Sequence, residues 1–500
     1  MGILHYNNKK MIVDSLISNV RGNTAILYAF ASGIANSVVL DTSVKKSMSD
    51  IQHEIQFGKK IFYTDIKPVI KHKLWVSGTV YDMYDDLDVD LYDKDFYVVT
   101  PLTIPGGYRN VFKCLDNNNG GESTQMPDLY QITPFTSIDG YTWKYMYSIS
   151  SADYDKFGND QYVPVIANTT MIEFTADRTG IDSMVIDNEG VGYVATHEGI
   201  IQSVVNSTCF QIDSSASFDN DYYKDSSIYM TSGSNQMGQL LVISQSVSNG
   251  TGKWVHTETA ANVSLIFSGL TEYSIQPTIN IIGNGEIPAQ AYPIIEDGKI
   301  TDIIIIDTGL GYTSAEATVT ANSIYGSNAS IRPIVAPPGG HGVNPEAQLG
   351  IEGYCVSITF DGAEGNIPAD NTYITMGILR DPKASSNGLL TYSSNTFNQL
   401  LKASIVSNTI FTKGEVVVGQ TSNKYGKVYF ANSSQIYLVG DKDFSNSEVI
   451  ISDTDKVGTI SINTRGDLDS KNLDILYVQS IQKVQRDPLQ RETFKLMVKV

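Results

Sequence analysis

Three cysteines in 500 residues, Cys114, Cys209 and Cys355, stand far apart, odd in number and in no paired spacing. Their pattern gives neither a disulfide framework nor a zinc site, and it suits a reducing compartment. Long apolar runs are also missing. The longest aliphatic stretch, residues 303–306, falls far short of the roughly 18 to 20 residues that span a bilayer and suits a buried strand, so no membrane insertion is expected. The opening MGILHYNNKKMIV is too broken by Asn and Lys for a secretory signal, and Tyr6 stands where myristoylation needs Ser or Thr. Basic residues are scarce: 35 Lys and Arg against 54 Asp and Glu leave a formal charge of −19. Phosphate-binding surfaces need clustered Lys and Arg, so nucleic acid is not expected as a partner.

Signatures of catalysis are missing too. The six histidines are His5, His53, His72, His197, His256 and His341. His53-Glu54 and His197-Glu198 begin as a zinc-protease motif would, but Phe57 and Ile201 occupy the place of its second histidine. No Gly-x-Ser-x-Gly elbow occurs, and VSNGTGKW has Val247 and Trp254 where a phosphate loop needs Gly and Ser or Thr. In the acidic run Asp82, Asp85, Asp86, Asp88, Asp90, Asp93 and Asp95, a calcium loop would need Gly at Leu91 and Glu at Tyr97. The run reads as a solvated or salt-bridged loop. No cofactor, metal or catalytic residue is expected.

What the chain does have is Tyr (29), Gly (41) and abundant Ser, Thr and Asn, the texture of a loop-rich β protein. Tyr141, Trp143, Tyr145, Tyr147 and Ile149 alternate with Thr142, Lys144, Met146 and Ser148, which predicts a strand with one aromatic face. Ringed strand faces are usually buried, so sheet core or a protein contact is preferred to a ligand platform. SMVIDNEGVGYVAT (183–196) and DIIIIDTGLGYTSA (302–315) echo each other. Each reads as a hairpin in which Gly-x-Gly takes positive φ and the Tyr caps the core. The Pro/Gly-rich segment 336–350 reads as a connector. Segments beginning at Phe411 and Phe444 predict two similar hairpins within 411–462, and Phe494, Leu496, Val498 and Val500 alternate in a last strand expected to pair into a sheet.

The stretches LWVSGTVYDMYDDLDVDLYDKDFYVVT (74–100), NVFKCLDNNNGGEST (110–124) and DGYTWKYMYSISSADYDKF (139–157) together resemble the baseplate wedge protein, gene product eight, of T-even-type contractile-tailed phages. YCVSITFDGAEGNIPADNTYITMGILRDPK (354–383) and LDILYVQSIQKVQRDPLQRETFKLMVKV (473–500) are similar to later parts of that family, although Ile481 and Lys483 stand where it usually shows Arg and Pro. The resemblance implies a mainly β, multi-domain fold of antiparallel, sandwich-like sheets with few short helices and inserted β modules. It divides the chain into a core begun at 1–165, an inserted β-rich domain at 166–338, a return to the core at 339–385, an inserted hairpin module at 386–465 and closing strands at 466–500. It implies a non-enzymatic virion subunit, assembled in the host cytoplasm into the tail baseplate, that pairs with a second copy and with other wedge proteins. Trp75, Tyr81, Tyr141, Trp143, Tyr145, Tyr147 and Phe494 are then structural or interface candidates. The alternative reading is a tail adhesin for host-surface carbohydrate.

Overall fold

Leu27–Ser32, with the sequence LYAFAS, is buried along its whole length. Period-two alternation sends Leu27, Ala29 and Ala31 into one core and Tyr28 and Phe30 into another. A strand covered on both faces belongs to a sheet that is itself packed on both sides. In this computed structural model it is the middle of five, in the order Thr396–Asn398, Ile55–Ile61, Leu27–Ser32, Thr372–Arg380, Asp474–Gln485. The structure describes residues 6–33, 47–104, 106–131, 133–166, 180–194, 197–231, 238–320, 326–362, 364, 367, 372–487 and 489–500. The chain is mainly β, with several antiparallel sheets.

A second sheet, in the order Arg491–Lys499, Gly353–Asp361, Ile66–Lys71, Tyr162–Pro164, contributes Tyr354, Val356, Ile358, Phe360 and Leu496 to the first of these cores. Helix Tyr6–Arg21 adds Val13, Leu16, Ile17 and Val20. Their spacing i, i+3, i+4, i+7 makes one apolar stripe. The last strand pairs in register with Gly353–Asp361, Phe494 opposite Ile358, as the alternation predicts. Phe494 is half-buried, its ring 5.9 Å from Tyr373 and 6.1 Å from Phe360. Gly377 has a packing reason: a Cβ there would lie 2.4 Å from the Phe30 ring and 2.5 Å from the Tyr477 carbonyl.

Residues 401–464 close into a six-stranded barrel. Its two hairpins, Val416–Gly419 with Tyr425–Ala431 and Val449–Ser452 with Val457–Thr464, are those expected from the repeat, and Phe411 and Phe444 both lie in the barrel core. The hairpins also exchange contacts. Glu415 of the first accepts hydrogen bonds from Thr454 and Lys456 in the turn of the second. Glu448 of the second accepts from the Thr421 and Ser422 amides and the Ser422 hydroxyl in the turn of the first.

Two compact units emerge, residues 1–72, 151–165 and 350–500 in one and 73–150 and 166–349 in the other. The sequence division drew 1–165 as one piece. Pairing explains the difference: Ile66–Lys71 bonds to strands 353–361 and 162–164, whereas Asp85 is held by Arg332 of the second unit. The start of the inserted domain at 166 abuts residues 167–179, which lie outside the described residues.

Within the second unit the two echoed passages are not hairpins. Ile181–Val191 pairs with Ser327–Val335, and Lys299–Asp307 pairs with the preceding Gln290–Glu296. The runs after each Gly-x-Gly-Tyr, His197–Ile200 and Ala315–Thr320, pair with opposite ends of the long strand Glu272–Gly283. The turn therefore carries the chain from one sheet to another. Its construction is the same both times. Gly190 and Gly309 have φ of 69° and 65°, and their amides donate to Asn188 and Asp307 side chains. Tyr193 and Tyr312 fold back over those glycines and are buried. Residues 195–196 of the first echo lie outside the described residues. Among the described residues no helix is long and apolar enough to cross a membrane.

Candidate functional site: a strand with two buried faces

Strand Thr142–Ser150 lies between Tyr108–Asp116 and Phe135–Thr136. Trp143 is fully buried among Tyr81, Phe112, Cys114, Phe135, Tyr141 and Tyr145, with Trp75 packed partly buried against them. Tyr141 stacks on Trp143 at 5.4 Å and Tyr81 meets it edge-on at 6.0 Å, geometries that aromatic quadrupoles favour. Trp143 Nε1 is buried and finds no hydrogen-bond partner among the described residues, whereas the polar ends around it are held. Tyr141 donates to the Gly121 carbonyl at 2.6 Å and accepts from the Tyr81 amide, while Trp75 Nε1 donates to Ser123 Oγ at 3.1 Å. Asp139, in the turn before the strand, accepts from the Thr124 and Gln125 amides, both at 2.8 Å, and so fastens the loop that Tyr141 and Trp75 hold.

The alternation does not run through to Tyr147. Tyr145 pairs with Phe112 but Tyr147 with Val111, so a bulge at this point inserts one extra residue. Tyr147 therefore shares a face with Lys113 and Lys144, opposite Trp143. Its hydroxyl is buried and finds no hydrogen-bond partner among the described residues. Burial, then Glu346, pushes that hydroxyl's pKa well up.

On this second face Lys113 and Lys144 are buried, together with His341 and Gln348. The Lys113 ammonium sits 4.2 Å over the Tyr84 ring, and the Tyr84 and His341 rings meet at a right angle, 5.0 Å apart. His341 Nε2 lies 3.2 Å from Asp182 Oδ2, and Nδ1 is buried without a partner among the described residues. Burial first and the Lys113 cation second depress His341 to about 4, against the pull of Asp182. The imidazole is then neutral near pH 7, with Nε2 donating to the carboxylate. Burial likewise drives Lys113 well down, opposed by Asp182. These groups face one another and not a solute, so the arrangement is a polar network inside the unit. Only the position of Lys144 opposite the rings was legible in the sequence.

Sequence reading missed two further constellations. His197 Nε2 lies 3.2 Å from both oxygens of Asp213, which also accept from Tyr273 at 2.9 Å and from Ser215. Burial raises the Asp213 carboxyl, but Ser215, Tyr273 and His197 outweigh it and hold it at about 2. A carboxylate so fully engaged is a weak base. Cys209 Sγ lies 3.8 Å from His256 Nε2 across paired strands, and burial pushes the thiol up, away from the thiolate a nucleophile requires. Among the described residues no group of three or more His, Cys, Asp or Glu is arranged to hold a metal. In the acidic run Asp85 takes a two-pronged bond from Arg332 (2.9 and 2.6 Å), Lys94 bonds Asp88, and Asp95 pairs with Lys73.

Where the sheet ends, Asn110, Tyr145 and Ser148 border an open cavity of about 330 Å³ rimmed by Tyr108 and Tyr130. The chain matches no known protein-family model and none of the curated proteins.

Proposed function

We propose that the chain is a structural subunit of a phage tail baseplate wedge, which joins a second copy and other wedge proteins and takes part in baseplate assembly and in the rearrangement that lets the sheath contract. The three stretches that resemble gene product eight contribute to one aromatic sheet, and this carries the reading. Their conspicuous side chains, Tyr81, Tyr141 and Trp143, are committed to internal packing and backbone bonds. That is what a rigid part requires: packed interiors do not deform continuously, while contacts between parts can switch between two arrangements. The formal charge of −19 fits a part kept dispersed until its neighbours capture it. The subunit is non-enzymatic in this reading and resides in the virion. Electron microscopy of virions with this chain labelled tests it. Label at the baseplate ring, close to the sheath, supports a wedge subunit. Label confined to outer fibre tips replaces it with an adhesin, and no label in the tail removes both.

A further inference from the structure

The cavity beside the aromatic sheet shares Tyr145 with the ring core and has no lining residue from the buried cation network. Its polar groups form an oriented chain. Ser148 Oγ donates to Asn110 Oδ1 at 2.6 Å, so it accepts from the Tyr145 hydroxyl, also at 2.6 Å. Asn110 Nδ2 in turn donates to the Tyr130 hydroxyl at 3.2 Å, and the Asn110 backbone N–H donates to Thr100 Oγ1 at 2.9 Å. Each link uses up the donor or acceptor of the next, and the chain ends at Tyr130, whose own hydroxyl proton no described residue accepts. At the same rim Asp128 is exposed and makes no hydrogen bond or ion pair to a described residue.

The apolar lining is equally specific. Tyr130 and Tyr108 are 66 % and 60 % exposed, although the Tyr145 ring, 5.8 Å from Tyr130, is buried. Among the described residues no Lys, Arg or His lines the cavity. An anionic ligand would meet only the Asp128 carboxylate and no cation. A purely apolar one would leave both Asp128 and the Tyr130 hydroxyl without partners and gain nothing from the hydrogen-bonded floor.

The geometry points to a neutral saccharide as the ligand of this cavity, with a sugar ring against the exposed Tyr130 or Tyr108 face, a vicinal hydroxyl pair on the Asp128 carboxylate and one oxygen accepting from the Tyr130 hydroxyl. A volume of about 330 Å³ lies at the small end of ligand sites and holds a mono- or disaccharide. The aliphatic face of a pyranose supplies polarised C–H groups to the negative ring face, and a carboxylate accepts two hydroxyls at once. This site is independent of the wedge reading, since a baseplate part and an adhesin could both carry it.

Saturation-transfer NMR on the full-length protein tests the site, with galactose, N-acetylglucosamine, lactose and chitobiose as neutral probes and sialyllactose as the anionic one. At least one neutral sugar should receive transfer at its ring protons, and sialyllactose should show none beyond its lactose moiety. Tyr130→Ala and Asp128→Asn should each weaken that sugar about tenfold or more, and Asp128→Asn should do so without moving the melting temperature, because its side chain is exposed and makes no bond to a described residue. Tyr130→Phe, which keeps the ring and loses the hydroxyl, should fall between wild type and Tyr130→Ala. No transfer to any neutral sugar at about 10 mM, a concentration that detects even millimolar binding, overturns the inference. So does unchanged affinity in both Tyr130→Ala and Asp128→Asn.

Discussion

Trp143 concentrates the cost of a single change. Truncation to Ala removes an indole that has no solvent exposure and is wedged between Tyr141 and Tyr81. Buried Trp truncations cost about 3–5 kcal/mol. Trp143→Ala should therefore melt well below wild type, whereas Trp143→Phe should lose less. A variant of normal melting temperature would mean the ring is not structural. His341 makes a prediction of opposite chemical character. Its folded pKa of about 4 lies below the ordinary value near 6.5, so between those pH values the unfolded chain binds the extra proton. Stability then rises with pH across that window and is lost on acidification, by about 3 kcal/mol in all. Melting temperatures from pH 7 to pH 4 should fall in wild type and fall less in His341→Gln. Lys113→Met should move the His341 titration upward, because Lys113 is the cation that most opposes its protonation. A flat profile in wild type would show that the imidazole is not held neutral.

At the scale of elements, the barrel offers the sharpest test. Lys402 pairs with Thr464, so the barrel begins and ends side by side, and excision is tolerated where chain ends meet. Replacing 401–464 by a short linker should leave a cooperatively melting β protein by circular dichroism. Loss of all structure would make the barrel part of the surrounding core. Within it, Glu448→Ala strips an acceptor from the amides of Thr421, Ser422 and Ser445. Leaving such donors unmet costs about 1–3 kcal/mol apiece where they are buried, so the variant should open the hairpin turns, seen as faster hydrogen exchange over 419–424. Much at this scale was legible beforehand. The last strand, the aromatic strand and the hairpins within 411–462 were all readable because period two and turn residues are local signals. The bulge that turns Tyr147 to the other face was not, since it depends on where Val111 and Phe112 lie in the partner strand. The destination of the runs after each Gly-x-Gly-Tyr, a strand far off in sequence, is equally invisible to local pattern. Asn110, Tyr130 and Asp128 escaped notice for a related reason: two lie in a loop without period, and the third looks like any other strand residue.

For the whole molecule, the telling fact is that each unit has its own apolar cores, 1–72, 151–165 and 350–500 in one and 73–150 and 166–349 in the other. A fragment spanning 73–349 should therefore fold without the rest, with residues 151–165 left as an unpaired loop. Its check is a cooperative thermal transition and a near-ultraviolet dichroism signal from buried Trp143. A fragment that stays molten would mean the second unit depends on the first. Net charge acts at this scale as well. Nineteen unbalanced negative charges repel one another within one chain, so moderate salt should favour association of copies by screening that repulsion.

The strand Leu27–Ser32 carries a consequence for the order of synthesis. It pairs on one side with Ile55–Ile61, close behind it, but on the other with Thr372–Arg380. Ile55–Ile61 in turn pairs with Thr396–Asn398, so on the ribosome the two strands must wait with both outer edges bare until the rest of their sheet has been translated, while every residue of 73–349 has already emerged. The second unit can thus mature during translation. The first is held open as a half-built sheet, and non-local pairing of this kind is slow and prone to sticking. Newly made chains should accordingly engage chaperones through strands Leu27–Ser32 and Ile55–Ile61, and a ribosome stalled before residue 372 should leave those two strands the most protease-sensitive of the described strands in the nascent protein.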